Sequence, residues 1–262
     1  MSVTDLAPST EPWSAVGTGR RGRVGVVVCH GFTGNPIATR PLGRHLAEQG
    51  YTVEVPCLPG HGTTYRDLGR TRYEDWYRAL DTLVDALAAR CEQVVLIGHS
   101  MGGTLTLDLA SRRPDEVAAA VTINAQVLDP TQPLARVAPL LQYLVPYVPR
   151  DLAGLPTDDI ARPGVEEGSY PKVAAKAAQS LIAQLPRIRT QLLDLTAPLL
   201  VVWSPEDHTV PPVNSHELMD LVGSSDLEQF VCHRSYHAPM LDYDDEALAQ
   251  AITAFVARTT GT

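Results

Sequence analysis

Clustered cysteines, lysine and long apolar runs are all scarce in this sequence, and each scarcity excludes something. The 262 residues hold four cysteines, Cys29, Cys57, Cys91 and Cys232, with no CxxC and no paired Cys/His spacing. That excludes a zinc site or a disulfide framework and implies no metal. The four read as reduced, buried small hydrophobes in a cytoplasmic protein. Nowhere do 18 apolar residues run together, so no transmembrane segment is expected. The start, MSVTDLAPSTEPW, lacks the basic opening and apolar stretch of a signal peptide. Lysine occurs only at Lys172 and Lys176, and the formal net charge is −9 with a pI near 5.3. Without a basic excess, nucleic acid is excluded as a partner. The same charge disfavours strong adsorption to anionic lipid, although neutral lipid is not repelled.

What is present is core material. Hydrophobic residues make up 44% and charged residues 19%, a balance that rules out a disordered chain or a coiled coil. Short β-branched runs, Val24–Cys29, Tyr51–Val55, Gln93–Ile97, Val117–Ile123, Leu199–Trp203 and Leu227–Cys232, alternate with helical periodicity. That alternation predicts an α/β fold: a mostly parallel sheet flanked by helices. Tyr73, Trp76, Tyr77, Leu80, Leu83, Val84 and Leu87 recur at three- and four-residue steps and predict one helix packed on the sheet. The alternation stops at about residue 126 and resumes at about 196. Proline is dense between Pro130 and Pro171, which predicts short helical pieces and turns. Lys172 to Leu185 is predicted to be a helix that Pro186 ends or kinks. So long a detour between core strands reads as a cap insertion, 126–195, in a core formed by 1–125 and 196–262.

The strongest chemical signal is Gly98-His99-Ser100-Met101-Gly102, between the strand VVLI and the helical run GTLTLDLA. A nucleophile projects from a strand-to-helix turn only if the backbone bends sharply, and glycine two residues to either side relieves the crowding. The Ser100 hydroxyl then lies at a helix N-terminus, where unpaired N–H groups favour developing negative charge. A chance GxSxG in a chain of this length is roughly a one-in-ten event at ordinary glycine frequency. The flanking strand and helix make chance a much poorer explanation.

A serine hydroxyl needs a base, and the base needs an orienting carboxylate. Asp207 follows the strand LLVVW and His237 follows LEQFVCH, so both fall beyond carboxyl ends of strands, on the edge that carries Ser100. The order Ser, Asp, His is the one this architecture uses. Taken singly, Asp207 is also a reasonable turn former and His237 a reasonable surface histidine. His233 is the nearest competitor, but it reads as the last residue of its strand. The loop His30-Gly31-Phe32-Thr33 after the first core strand points the Phe32 N–H, with that of Met101, toward an oxyanion. His30, His99 and His208 read as structural, and Gly60-His61-Gly62 as a turn without assignable chemistry.

HGFTGNP, PCLPGHGTTYRDLGRTRYEDW, HSMGGTLTLDLA, TINAQV, PEDHTVPP and SYHAPMLDYD together resemble the α/β-hydrolase superfamily. Within it, the sequence is similar to the bacterial monoacylglycerol lipase and small carboxylesterase group. The resemblance implies Ser100, Asp207 and His237 as a catalytic triad, with Phe32 and Met101 as the oxyanion hole. It implies no cofactor. It covers nearly the whole chain and weakens in the proline-rich cap. By the same resemblance Glu167, in VEEGSY, meets the hydroxyls of a glycerol head group; the alternative is a solvated acidic turn. The apolar positions Leu134, Val137, Leu140, Leu141, Leu144 and Val145 are expected to cover an acyl chain, to pack the cap onto the domain, or both. Exposed apolar cap surface would touch lipid aggregates without anchoring the protein.

The expectation is a serine esterase that cleaves a monoacylglycerol into glycerol and fatty acid. Alternatives with the same triad are a short- or medium-chain carboxylesterase and a thioesterase. The non-enzyme alternative is a degenerate hydrolase acting as a ligand-binding module.

Overall fold

In the computed structural model, described over residues 9–130, 144–156 and 158–262, the β-branched runs become a single twisted sheet. Its strands are β1 (Trp13–Ala15), β2 (Val24–Cys29), β3 (Thr52–Val55), β4 (Gln93–His99), β5 (Val117–Ile123), β8 (Leu199–Trp203) and β9 (Leu227–Val231). Their order across the sheet is β1-β3-β2-β4-β5-β8-β9. Only β1 is antiparallel to its neighbour; β2, β3, β4, β5, β8 and β9 pair in parallel. The central strands are buried throughout, which is why they read as unbroken apolar runs. β9 is an edge strand with Leu227–Gln229 exposed.

Alternation along each strand divides the core between the two faces. Val27, Cys29 and Leu96 face one side with Trp76, Leu80 and Leu105. Val26, Val28 and Ile97 face the other with Leu42, Leu46, Leu248 and Ile252. The first four helices are α1 (Pro36–Glu48), which carries Leu42 and Leu46, α2 (Tyr65–Leu68), α3 (Tyr73–Ala88), which carries Trp76 and Leu80, and α4 (Met101–Arg112), which carries Leu105. In α3 the predicted stripe is mostly realised: Tyr73, Trp76, Leu80, Val84 and Leu87 are buried, while Tyr77 and Leu83 are partly buried. In α4 every residue from Met101 to Ser111 is buried, so the helix that follows the sharp turn is held by packing on all sides.

Between β5 and β8 the chain departs from one expectation. Lys172–Ala174 is not helical but forms β7, an antiparallel partner of β6 (Tyr147–Pro149). Helix α5 begins only at Ala175 and runs to Ile182. Pro186 ends nothing: it sits in the first turn of α6 (Leu185–Gln191), where its missing N–H costs no hydrogen bond. Local alanine content favours helix at 172–174, but pairing with β6 outweighs it. Two more helices, α7 (Val213–Leu221) and α8 (Asp245–Thr260), complete the core. The cysteines are unpaired; Cys29 and Cys232 are buried as expected, whereas Cys57 and Cys91 are only half-buried. Among the described residues no helix is long and apolar enough to cross a membrane.

Candidate active site

β4 ends at His99, and the next residue adopts φ 53°, ψ −118° before α4 starts. Ser100 is thus a non-glycine residue at positive φ, a conformation that costs of order 1–3 kcal/mol and survives only where the surroundings impose it. Here they do. The Ser100 N–H donates to the Ile123 carbonyl at 2.8 Å, and its carbonyl accepts from Thr104 N–H at 3.1 Å. The tightness explains the motif's glycines. A Cβ on Gly98 would overlap the Gly102 carbonyl, and one on Gly102 would lie 2.5 Å from the Cys29 oxygen.

His237 and Asp207 meet as the sequence predicts. The His237 Nδ1–H donates to Asp207 Oδ2 at 2.8 Å, and both side chains are buried. The second oxygen, Oδ1, accepts from the N–H groups of Thr209 at 2.8 Å and Val210 at 2.7 Å. The carboxylate is thereby fixed from both sides. Burial opposes the charged imidazolium, but the charge and hydrogen bond of Asp207 outweigh it, aided by Glu167 and Asp159. The result is a histidine pKa above its ordinary value. His233 does not compete: β9 stops at Val231, two residues before the strand end expected from the sequence, and His233 stands in an exposed turn. Cys232 ends the pairing by donating its N–H to the Trp203 carbonyl at 2.8 Å.

Ser100 and His237 line one cavity of about 520 Å³, together with Phe32, Met101, Glu167 and Arg150. Its remaining wall is largely aliphatic, with Val148, Leu155, Val173, Leu181 and Ile182 from the insertion. The loop carrying Phe32 packs closely against the serine: a Cβ on Gly31 would lie 3.0 Å from Ser100 Cβ. Met101 opens α4, so its N–H belongs to the first turn, which lacks intrahelical acceptors. The Phe32 loop is also tied to the insertion. Arg150 Nη1 donates to Thr33 Oγ1 at 2.5 Å, Tyr170 N–H to the Thr33 carbonyl at 3.1 Å, and Asn35 Nδ2 to the Gly168 carbonyl at 2.8 Å.

Glu167 is 5% exposed, so it is not the solvated turn residue that was its alternative reading. Ser169 Oγ donates to its Oε1 at 2.8 Å, and Arg150 Nη2 stands 3.9 Å from the same oxygen. Burial pushes its carboxyl above the ordinary range, against the pull of His237, Ser169 and Arg150. Leu144 does not line the cavity; it is 79% exposed, in a turn just before β6, while its neighbour Val145 lines the cavity and is 44% exposed. Leu134, Val137, Leu140 and Leu141 lie outside the described residues.

Four of the other histidines have structural partners. His30 Nε2 accepts from Leu58 N–H at 3.1 Å, and burial lowers its pKa to about 4. The ring of His61 is buried against His30 and Trp76. His208 Nδ1 pairs with Asp159 at 2.8 Å. His99 Nε2 lies 2.9 Å from the His237 carbonyl. Asn124, Arg150 and Asp159 escape sequence reasoning, because each acts through partners remote in the chain. For Asn124 the one available signal is an amide residue directly after a core strand.

Among the described residues no group of three or more His, Cys, Asp or Glu could hold a metal ion. The arrangement is a buried imidazole backed by a carboxylate, beside a serine on a strained turn, opening on an apolar cavity. Such a set can generate and use an oxygen nucleophile.

Comparison with known proteins agrees with this reading. Residues 21–244 match the family Hydrolase_4, described as serine aminopeptidase, S33. The thermostable monoacylglycerol lipase of Bacillus sp. (strain H-257) is 36% identical over 242 residues, covering 92% of this chain and 93% of that protein. A carboxylesterase of Bacillus subtilis (strain 168) is 27% identical over 240 residues, covering 91% and 94%. Among solved structures, one from work on the metagenome-derived lipolytic enzymes LipS and LipT superposes with a TM-score of 0.88 at 33% identity. It covers 96% of this chain and 98% of that one. Fold, site architecture and relatives converge: the chain belongs to the Hydrolase_4 family and is a hydrolase of the α/β-hydrolase fold.

Proposed function

We propose that this protein is a serine esterase that hydrolyses monoacylglycerols. Ser100 Oγ attacks the ester carbonyl while His237 Nε2 takes its proton; Asp207 holds the imidazole and stabilises its cation. The N–H groups of Phe32 and Met101 hold the tetrahedral oxyanion. His237 then protonates the departing glycerol oxygen, leaving an acyl-enzyme on Ser100. The same histidine activates water, which hydrolyses that ester and releases the fatty acid. The steps require no metal or cofactor.

The observation that carries the substrate class is the composition of one cavity. Ser100, His237 and the buried Glu167 share a space whose wall is largely aliphatic, with Arg150 beside Glu167. A space of about 520 Å³ suits one small amphiphile. The apolar wall takes the acyl chain, and Glu167 accepts hydrogen bonds from the glycerol hydroxyls. Residues 126–195 act as the cap. Val145 and Leu152 line the cavity and are themselves exposed, and with the neighbouring Leu144 they make transient contact with lipid aggregates. The unpaired thiols fit a cytoplasmic location.

The test is a rate comparison with purified protein on mono-, di- and triacylglycerols, short aryl esters and acyl-CoA. Monoacylglycerol is expected to be turned over with the highest kcat/KM. Glu167→Ala is expected to reduce that rate more than the rate on an aryl ester. A preference for diacylglycerol or thioester, or equal losses on both esters in the variant, overturns the substrate assignment.

A further inference from the structure

β5 ends at Ile123, and Asn124 follows it in the left-handed region at φ 48°. Asparagine tolerates that conformation better than most side-chain-bearing residues. Its side chain is 2% exposed and reaches both loops that carry the candidate base and its carboxylate. Oδ1 accepts from the Ser204 N–H at 2.9 Å, at the start of the turn that leads to Asp207. Nδ2 donates to the His237 carbonyl at 2.9 Å and lies 3.3 Å from the Tyr236 carbonyl and 3.2 Å from Ser204 Oγ. The amide orientation is fixed by its partners, since a backbone N–H faces one end and two carbonyls face the other.

A second side chain grips the same atom. His99 Nε2 lies 2.9 Å from the His237 carbonyl. A carbonyl can only accept, so Nε2 carries the proton, and burial, which holds the ring's pKa well below its ordinary value, keeps His99 a neutral donor. Two buried donors from the ends of adjacent strands, β4 and β5, thus converge on one main-chain oxygen.

We propose that Asn124, with His99, is a positioning residue that sets the distance between His237 and Asp207 by anchoring the His237 carbonyl to the Ser204 turn. The proposal rests on His237 being the general base. Without the anchor the His237 carbonyl loses its side-chain donors. The neighbouring N–H groups of Tyr236 and Ala238 still bond Asp242 Oδ2 and the Asp159 carbonyl, but nothing then holds the His237 main chain to the Ser204 turn, and the imidazole shifts off Asp207 Oδ2. Catalysis suffers because a misplaced base costs about 100-fold in rate per ångström or so, while substrate binding in the cavity does not involve Asn124.

The test uses Asn124→Asp, which is isosteric and keeps the acceptor for Ser204 but turns an oxygen toward the His237 carbonyl. It is read beside His237→Ala, His99→Leu and His99→Gln, whose amide nitrogen can replace Nε2. Expected for Asn124→Asp is a kcat about 100-fold lower with KM unchanged; the acid limb of the kcat profile is read in His99→Leu, which adds no charge beside His237, and is expected at lower pH there. That movement follows because Asp207 raises the pKa of His237 less once the pair loosens; the other groups acting on this imidazole are Glu167, Asp159 and His99. His99→Leu is expected to act in the same direction, with His99→Gln restoring much of the rate. If Asn124→Asp does not fold, the two His99 variants decide the matter by kcat and the acid limb, KM being set aside because His99 lines the cavity. A kcat that is unchanged in Asn124→Asp and in His99→Leu, or an acid limb that stays in place when kcat falls in His99→Leu, overturns the proposal. Activity surviving in His237→Ala overturns the base assignment, and the proposal with it; an inactive His237→Ala beside a normal Asn124→Asp overturns the proposal alone.

Discussion

Arg187 grips Asp108 with two guanidinium nitrogens, each 2.8 Å from a different carboxylate oxygen. Asp108 is completely buried on α4, and Tyr73 Oη donates to it at 2.6 Å and Arg112 Nε at 3.0 Å. Arg187 belongs to α6, so one carboxylate joins the end of the insertion to the helix behind Ser100. Asp108→Ala leaves two cations and a phenol without their acceptor. Breaking a buried pair from one side costs about 3–5 kcal/mol, and partial exposure of Arg187 and Arg112 lets water recover some of it. A loss of about 3 kcal/mol is expected in urea unfolding. A loss below about 1 kcal/mol would remove Asp108 from the account of how the insertion is held.

The turn at Ser100 makes a sharper prediction about folding. A methyl group on Gly102 would lie 2.5 Å from the Cys29 carbonyl oxygen and 2.7 Å from that of His30. Both are backbone atoms of a central strand and its loop, which cannot yield cheaply. Gly102→Ala is expected to abolish soluble expression or to lower Tm by more than 10 °C, whereas Ser100→Ala leaves Tm within a few degrees. A well-folded Gly102→Ala with normal activity would contradict the packing described for this turn.

The acid limb of kcat/KM is expected to belong to His237, the proposed base. Its pKa is raised, since the carboxylates around it outweigh the burial that opposes its charge. The base works only when neutral, so activity falls as pH drops through that raised value, above the ordinary 6.5 or so. Glu167→Gln removes one of the charges that favour the imidazolium. The limb is therefore expected to move to lower pH in that variant, giving it a larger share of its plateau rate at pH 6. A limb that stays put, or moves upward, would show that Glu167 does not act on His237.

Much of this was legible in the sequence because the chemistry imposes local spacing. The GxSxG turn must follow a strand and open a helix, and β4 and α4 flank Ser100 accordingly. Asp207 could be found because it sits just past the apolar run LLVVW, and His237 because it follows LEQFVC, a weaker strand signal with Glu228 and Gln229 on its exposed side. The rest depends on contacts that spacing does not encode. Asn124 meets His237 across 113 residues, and Arg150 meets Thr33 across 117. β1 is three residues long, and β6 and β7 are three-residue strands far apart in the chain, among prolines and alanines, so none of them produces a periodic signal. Lys172–Ala174 shows the same limit in reverse: its composition favours a helix, and a partner strand makes it extended.

The most direct measurement of the central claim is labelling with a fluorophosphonate, followed by mapping of the modified peptide by mass spectrometry. Phosphonylation needs an activated serine beside a functioning base. One adduct is expected, on Ser100, absent in Ser100→Ala and strongly slowed in His237→Ala, with substrate turnover in Ser100→Ala lower by about 10⁴- to 10⁶-fold. An adduct on another residue, or undiminished turnover in a folded Ser100→Ala, would contradict it.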